Sequence, residues 1–287
     1  MIKDIFNYVG NKYKLLDRIL PIVNGRKVFV DVFGGSGVVG VNQDSEILVY
    51  NDKLWQLTNI LQTFYNLGGE NSLIEVDKTI SKYNLSKVNK EGFLNARNDY
   101  NLLKDKTSQQ ASVLLYSIVI HSFNYQMGFN SSGEFNVSFG KDRSSFNPSL
   151  RARFVDFIDK MQKKQVVFTK NSFEDIIKAV VNKVPSKDIV FYLDPPYLIS
   201  DDSYSRTKYV KWGQELEERL YTQLSYLNTM GFSFVLSNVI ENNGNENTIL
   251  KKWAKQFNVA ELDRDYSNCN YQKGKAFKNK EILVTNF

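Results

Sequence analysis

Cysteine and histidine are almost missing from this sequence, which holds one of each in 287 residues, Cys269 and His121. A single cysteine excludes an internal disulfide and any metal site built on a cysteine cluster. A single histidine excludes a Ser-His triad combined with a separate set of histidine ligands. His121 is therefore read as structural and Cys269 as inert. No run of about 18 apolar residues exists, so no membrane-spanning helix is expected. The first sixteen residues, MIKDIFNYVGNKYKLL, are too broken by Asn, Lys and Gly to form the apolar centre of a signal peptide. Internal repeats and low-complexity linkers are absent as well. What remains is the composition of a soluble globular protein from a reducing compartment. The 37 Lys and Arg against 31 Asp and Glu give a net charge of +6, which favours a polyanionic partner only slightly.

The chain is long enough for one large domain or for one domain carrying an insertion. Three segments differ in pattern. Residues 1–53 contain two short apolar runs, Val28–Val32 and Ile47–Tyr50, of the kind buried in parallel sheets. Residues 54–165 predict helices over Leu54–Leu67, Ser72–Tyr83, Gly92–Leu103 and Ser108–Phe123. They then pass into a Gly/Asn/Ser-rich stretch, Asn124–Ser149, read as loops with room for a hairpin. Residues 166–287 return to alternation, with strands expected at Val166–Thr169, Ile189–Leu193, Phe232–Leu236 and Glu281–Thr285. Helices are expected there at Phe173–Val181, Glu215–Met230 and Thr248–Phe257. Strand–helix alternation on both sides of a helical middle predicts one α/β sheet interrupted by an insert.

Two short motifs carry chemistry. Asp31-Val32-Phe33-Gly34-Gly35-Ser36-Gly37 follows the first apolar run, and glycines in such a turn let backbone approach a ligand closely. Asp52 ends the next run, about 20 residues on, the distance at which nucleotide-binding α/β folds place a carboxylate on ribose hydroxyls. A plain strand–helix turn with Asp52 as a helix cap is the bland alternative; strand context on both sides favours a nucleoside-type cofactor. The second motif is Asp194-Pro195-Pro196-Tyr197, directly after Ile189–Leu193. Two prolines cannot continue a central strand, so the chain leaves the sheet there and the flanking Asp and Tyr are held stiffly. An adenine amino group is a poor nucleophile because its lone pair is delocalised into the ring. The Asp194 carboxylate and the Pro195 carbonyl are able to accept its two N–H bonds, and Tyr197 offers a flat face to an extruded base.

With these residues in that order, the sequence resembles the Dam-like family of DNA adenine N6-methyltransferases, the D12 class or α group. The resemblance covers nearly the whole chain. Tyr8-Val9-Gly10-Asn11-Lys12 is similar to the family's aromatic-x-Gly-Gly-Lys motif, and the analogy puts Tyr8, Gly10 and Lys12 beside the methionine end of the cofactor. Asp31, Phe33, Gly35 and Gly37 match the cofactor loop, Asp52 the ribose-binding acid, and Asn171-Ser172-Phe173 the segment flanking the cofactor's adenine. Gly133-Glu134-Phe135-Asn136-Val137 with Phe139-Gly140 is similar to a stretch of the Dam-type insert. Leu236-Ser237-Asn238 and Lys280–Val284 resemble the later strands.

The resemblance implies a Rossmann-like methyltransferase sheet, mostly parallel with a C-terminal antiparallel hairpin, and an inserted, mainly helical target-recognition domain at 54–165. It implies a site-specific adenine methyltransferase that uses S-adenosylmethionine and no metal, with Asp194, Pro195, Pro196 and Tyr197 as catalytic residues and Asp194 also beside the cofactor. It further implies a monomer on double-stranded DNA, a cytoplasmic, nucleoid-associated setting in a bacterial or phage-infected cell, and, in a restriction-modification pair, a cognate restriction endonuclease. Two departures bear on the target. Asn7 stands where a basic residue is usual, and Gly128 where an Arg is expected to read guanine, so GATC is not implied.

Basic and aromatic residues around the insert are the expected DNA contacts. Phe123, Asn124, Tyr125 and Gln126 are candidates to fill the gap or read bases, beside Asn136, while Lys141, Arg143, Arg151, Arg153, Arg206, Lys208 and Lys211, interleaved with the aromatic Tyr204, Tyr209 and Trp212, would neutralise phosphates. Cytosine N4 enzymes tend to carry Ser before Pro-Pro and glutamine methyltransferases Asn, so Asp194 favours adenine. A catalytically silent DNA-binding module or an RNA enzyme are the remaining alternatives.

Overall fold

A computed structural model describes residues 1–6, 8, 10–199, 212–262 and 279–287. Its centre is a sheet built from the continuous apolar runs, which do not alternate because both of their faces are covered. Every residue of β1 (Val28–Asp31) and β4 (Ile189–Leu193) is buried. These two strands pair in parallel and lie between β2 (Ile47–Asn51) and β3 (Gln165–Thr169) on one side and β5 (Ser233–Asn242) on the other. β8 (Asn279–Thr285) runs antiparallel to β5 and to the edge strand β7 (Asn258–Leu262). The order is β3-β2-β1-β4-β5-β8-β7, with a short β6 (Asn245–Glu246) folded back on β5. The expected mostly parallel sheet with an antiparallel C-terminal pair is thus present. The order reverses between β1 and β4, and in open α/β sheets ligands bind at the C-terminal ends of strands at such a switch point. Asp31 ends β1 there and Asp194 follows β4.

Alternate side chains of the strands feed two cores. Val28, Val30 and Phe191 face α8 (Phe173–Val181), α9 (Gln214–Thr229) and α10 (Thr248–Trp253). Phe29, Leu48, Tyr50 and Tyr192 share the other core with α1 (Leu16–Val23), α2 (Val38–Asn42) and the helices of the middle segment. Those are α3 (Trp55–Leu67), α4 (Gly69–Tyr83), α5 (Lys90–Leu102), α6 (Gln109–Val119) and α7 (Pro148–Gln162). Three of their starts, those of α5, α6 and α7, follow from side-chain caps: Asn89, Ser108 and Asn147 accept from Gly92, Ala111 and Leu150 N–H groups, and Pro148 opens α7. Phe64, Tyr116 and Phe154, from α3, α6 and α7, meet edge-on or tilted with centroids 4.9 to 5.3 Å apart. The middle segment therefore buries its apolar faces into the same cluster as one face of the sheet.

Several elements differ from the sequence expectation. α1, α2, α7 and β7 were not expected, and the helix expected over Ser108–Phe123 ends at Val119. The chain turns there because Asn124 and Tyr125 adopt left-handed backbone, φ 52° and 55°. The Gly/Asn/Ser-rich stretch enters through a 3-10 turn at Phe123–Tyr125, is pinned by two isolated antiparallel bridges, Ser122 to Phe139 and Phe129 to Phe135, and ends where α7 begins at Pro148. The helix expected over Thr248–Phe257 divides into α10 and a 3-10 turn at Ala254–Gln256. Among the described residues no helix is long and apolar enough to cross a membrane.

Candidate active site

The turn after β1 builds one wall of a cleft of about 520 Å³. Gly34 N–H donates to Asn51 O at 2.7 Å, drawing the turn onto the end of β2. Gly35 has φ 50°, and a Cβ there would stand 3.1 Å from the Tyr8 ring, so both backbone and space require glycine. Its N–H donates to Asp52 Oδ2 at 2.8 Å, while Asp52 Oδ1 accepts from Leu54 N–H at 2.7 Å. Asp52 is thus a carboxylate that lines the cleft and braces the turn before α3, whose N-cap is Leu54 rather than Asp52. Burial raises its pKa, against the two backbone donors. Gly37 begins α2 and does not line the cleft, unlike the other expected cofactor residues.

Asp31 is buried at the floor, and its Oδ1 has no hydrogen-bond partner. Burial, then Asp194 and Asp52, hold its pKa well above the usual carboxylate range. An orphaned buried carboxylate oxygen is costly, and such groups mark places where a ligand donor is missing.

Asp194 emerges from β4 with its side chain 19% exposed, in a knot of charge. Lys12 Nζ lies 2.8 Å from Asp194 Oδ2 and 3.3 Å from Glu281 Oε1, and donates to Tyr197 Oη at 2.7 Å and to Gly10 O at 2.9 Å. The Tyr197 hydroxyl stands 2.9 Å from Asp194 Oδ1 and 3.0 Å from Glu281 Oε1, so its single proton is shared between two carboxylates. Ser237 Oγ donates to the same Glu281 oxygen at 3.2 Å. Burial raises the Asp194 pKa, the Lys12 ammonium opposes it, and Glu281 adds to the rise. Glu281 and Ser237 were seen in the sequence only as parts of strands. Their polar types inside otherwise apolar runs were the available signal.

A third wall is aromatic. Phe33, Phe173 and Trp212 form a triangle with centroids 5.7 to 6.0 Å apart. Trp212, expected among the residues holding DNA, is instead 7% exposed and lines the cleft. Ser172 caps α8 by accepting from Asp175 N–H at 3.1 Å, and it also lines the cleft.

Apart from Trp212, the expected DNA residues that are described lie outside the lining. Phe123, Asn124, Asn136, Lys141 and Arg143 are exposed, and Tyr125 and Gln126 half-buried. Immediately after them Met127, Gly128 and Phe129 reach the cleft. Arg151 is paired in the free protein: its guanidinium is bound at both nitrogens by Asp77, at 2.6 and 2.8 Å, and rests on the Phe146 ring. Arg153 is half-buried rather than free at the surface. His121 is buried with Nδ1 2.8 Å from Ser117 O, and burial lowers its pKa, as a structural residue requires. Asn7, Tyr204, Arg206, Lys208, Tyr209, Lys211 and Cys269 lie outside the described residues.

Comparison with known proteins gives one family and several relatives. The sequence model of the D12 class N6 adenine-specific DNA methyltransferase family matches residues 8–268. The chain is 35% identical over 289 residues to a type II methyltransferase, M.FokI, of Planomicrobium okeanokoites, covering 100% of this chain and 43% of that protein. It is 35% identical over 291 residues to the modification methylase StsI of Streptococcus sanguinis, with 100% and 43% covered. A DNA adenine methylase of Vibrio cholerae is 26% identical over 212 residues, covering 74% of this chain and 71% of its own. The chain thus spans about two-fifths of the length of the first two relatives.

Proposed function

Since the chain belongs to the D12 class of N6 adenine-specific DNA methyltransferases, we propose that it transfers a methyl group from S-adenosylmethionine to N6 of an adenine extruded from double-stranded DNA. One observation carries this reading: a rigidly held carboxylate, Asp194, stands beside Lys12 on the same cleft as the nucleoside-type seat formed by Asp31, Asp52 and the aromatic wall.

The residues present fit the methyl donor. The unpartnered Asp31 Oδ1 suits its ammonium, Asp52 its ribose hydroxyls, and the aromatic rings its purine. When bound, that group supplies an electrophilic methyl carbon on a sulfonium. Asp194 and the Pro195 carbonyl then accept the two N–H bonds of the target amine and turn its lone pair out of the ring plane. Asp194 would receive the proton that the amine must lose when its nitrogen is methylated. Lys12 keeps Asp194 ionised until that moment, against the burial that would protonate it. Tyr197 has its hydroxyl fixed in the charge knot and presents a ring to the extruded base.

On this reading residues 54–165 act as the target-recognition domain, and Phe123–Gln126, Asn136, Lys141, Arg143, Tyr204, Arg206 and Lys208 as contacts to the duplex. The enzyme would work as a cytoplasmic monomer and, like relatives named modification methylases, as the modification partner of a restriction endonuclease.

The test is incubation with labelled S-adenosylmethionine and duplex DNA, followed by mapping of the label. Label at adenine N6 in one short sequence, lost in Asp194→Ala with folding retained, is the expected result. Label on cytosine, RNA or protein, or transfer that survives Asp194→Ala, overturns the reading.

A further inference from the structure

Trp212 stands immediately before α9, whose cap is Gly213, and its ring closes the triangle with Phe33 and Phe173. Those two rings come from separate places, the turn after β1 and the first residue of α8, so three elements converge on one aromatic wall, in which the indole stands edge-on to Phe33 and tilted to Phe173. Phe33 belongs to the turn that Asp52 holds through Gly35, which sets this surface beside the carboxylate suited to ribose. Tyr197, the ring assigned to the target base, is instead bound into the Lys12 knot.

The back of Trp212 is held by a group that the reaction does not otherwise use. Its indole Nε1–H donates to Glu217 Oε2 at 2.5 Å. Glu217 is completely buried on α9, and its other oxygen accepts from Asn238 Nδ2 at 3.0 Å, from Asn247 Nδ2 at 2.9 Å and from the Tyr221 hydroxyl. A carboxylate removed from water is costly unless donors satisfy it, and four do so here. An apolar residue would fill the same site without that cost, so packing alone does not explain the choice. What the carboxylate does is tie β5 (Asn238) and the cap of α10 (Asn247) to the indole of a cleft-wall ring. With its N–H satisfied by Glu217, the indole is held where it lines the cleft.

We infer that Trp212 is the third ring of the seat for the methyl donor's purine and that Glu217 is the positioning residue that holds it there. The inference rests on the cofactor proposed above. Loss of one base–aromatic stacking contact corresponds to about a tenfold change in affinity.

Binding of S-adenosylhomocysteine without DNA tests it, by calorimetry and by tryptophan emission. The chain has three tryptophans, and Trp253 is stacked on Tyr221 at 4.5 Å. Wild type is expected to bind with a change in emission. Trp212→Phe should bind by calorimetry with that change lost, and Trp212→Ala should bind about tenfold more weakly. Glu217→Gln should weaken binding severalfold with Trp212 present and add nothing in the Trp212→Ala background. Should Glu217→Gln not fold, Glu217→Asp keeps the charge, withdraws it by one methylene and is expected to behave alike. An emission change that persists in Trp212→Phe, or wild-type affinity in Trp212→Ala, overturns the role of Trp212. Equal cost of the Glu217 change in both backgrounds overturns its positioning role. Failure of wild type to bind at all overturns the cofactor proposal instead, so the two failures are distinct.

Discussion

Lys12 Nζ is shared between two carboxylates, 2.8 Å from Asp194 Oδ2 and 3.3 Å from Glu281 Oε1. One buried ammonium therefore serves an acid from the end of β4 and another from β8, strands on either side of β5. Removing any one of the three leaves a buried charge with too few partners, which is the costly condition for such networks. The arrangement also makes the charge state of Asp194 depend on neighbours of both signs.

That dependence has a direction. Burial raises the Asp194 pKa, Lys12 lowers it and Glu281 raises it. Methyl transfer needs the ionised form, so activity is lost as pH falls through this raised value. Lys12→Met removes a lowering neighbour, and the acid limb of the kcat profile should move to higher pH, with the plateau reduced about tenfold to a hundredfold. Glu281→Gln removes a raising neighbour and should move the same limb to lower pH. Shifts of equal sign in the two variants would contradict the opposed roles.

Tyr197 separates the two parts of its side chain. Its hydroxyl accepts from Lys12 at 2.7 Å and faces both carboxylates, while the ring lines the cleft. Tyr197→Phe keeps the ring and should lower kcat about tenfold with KM for DNA little changed. Tyr197→Ala should raise KM as well, because stacking on an extruded base contributes about 1–3 kcal/mol. Single-turnover kinetics with a short duplex distinguish the two.

Much of this site was legible in the sequence because its chemistry is local. The turn from Asp31 to Gly37 and the tetrapeptide from Asp194 to Tyr197 each sit at one strand end, and strand ends are set by apolar runs. What the sequence concealed is assembled from distance. Glu281 lies 269 positions from Lys12 yet 3.3 Å away in space, and its acidic type beside an apolar run does not say which cation it meets. Trp212 read as one more aromatic in a basic stretch, whereas its partners Phe33 and Glu217 lie on different elements. α7 was missed because its signal, Asn147-Pro148, ends a stretch rich in loop residues and its apolar face is interrupted by Arg and Asp. β7 was missed because all but Leu262 of its residues are exposed at a sheet edge, where the apolar pattern is weak.

The orphaned oxygen of Asp31 predicts a trade between stability and binding. Its pKa is raised in the folded state, so the free protein holds that proton more tightly than the unfolded chain does. The stability associated with it is present at low pH and is lost as pH rises from the ordinary carboxylate value through the raised one. Asp31→Asn removes this loss and the desolvated charge, about 1–3 kcal/mol. The Tm of the ligand-free variant at neutral pH should rise by roughly 2–4 °C. Added S-adenosylhomocysteine should raise the Tm of wild type and have little effect on the variant. A destabilised variant that is still protected by the ligand would show that Asp31 serves the fold alone.

Phe123 allows the proposed extrusion of the base to be tested apart from the chemistry. Its side chain is 44% exposed, unusual for a phenylalanine, on a turn where Asn124 and Tyr125 both hold left-handed backbone. Each such conformation costs on the order of 1–3 kcal/mol and persists only where surrounding bonds impose it. Here Phe123 N–H donates to Ser138 O at 2.7 Å, Tyr125 N–H to Ser122 O at 3.1 Å and Gln126 N–H to Phe123 O at 3.2 Å. The chain thus spends stability to keep an apolar ring in water, four positions before Met127, which lines the cleft with Gly128 and Phe129. Because the ring is exposed, Phe123→Ala should leave the Tm within about 1 °C and cofactor affinity unchanged. It should lower kcat/KM for DNA about tenfold and reduce the fluorescence rise of 2-aminopurine placed at the target adenine, since a wedge that holds open the stack is gone. A Tm that falls by several degrees with normal 2-aminopurine emission would assign the ring to the fold and leave the opening of the duplex to other residues.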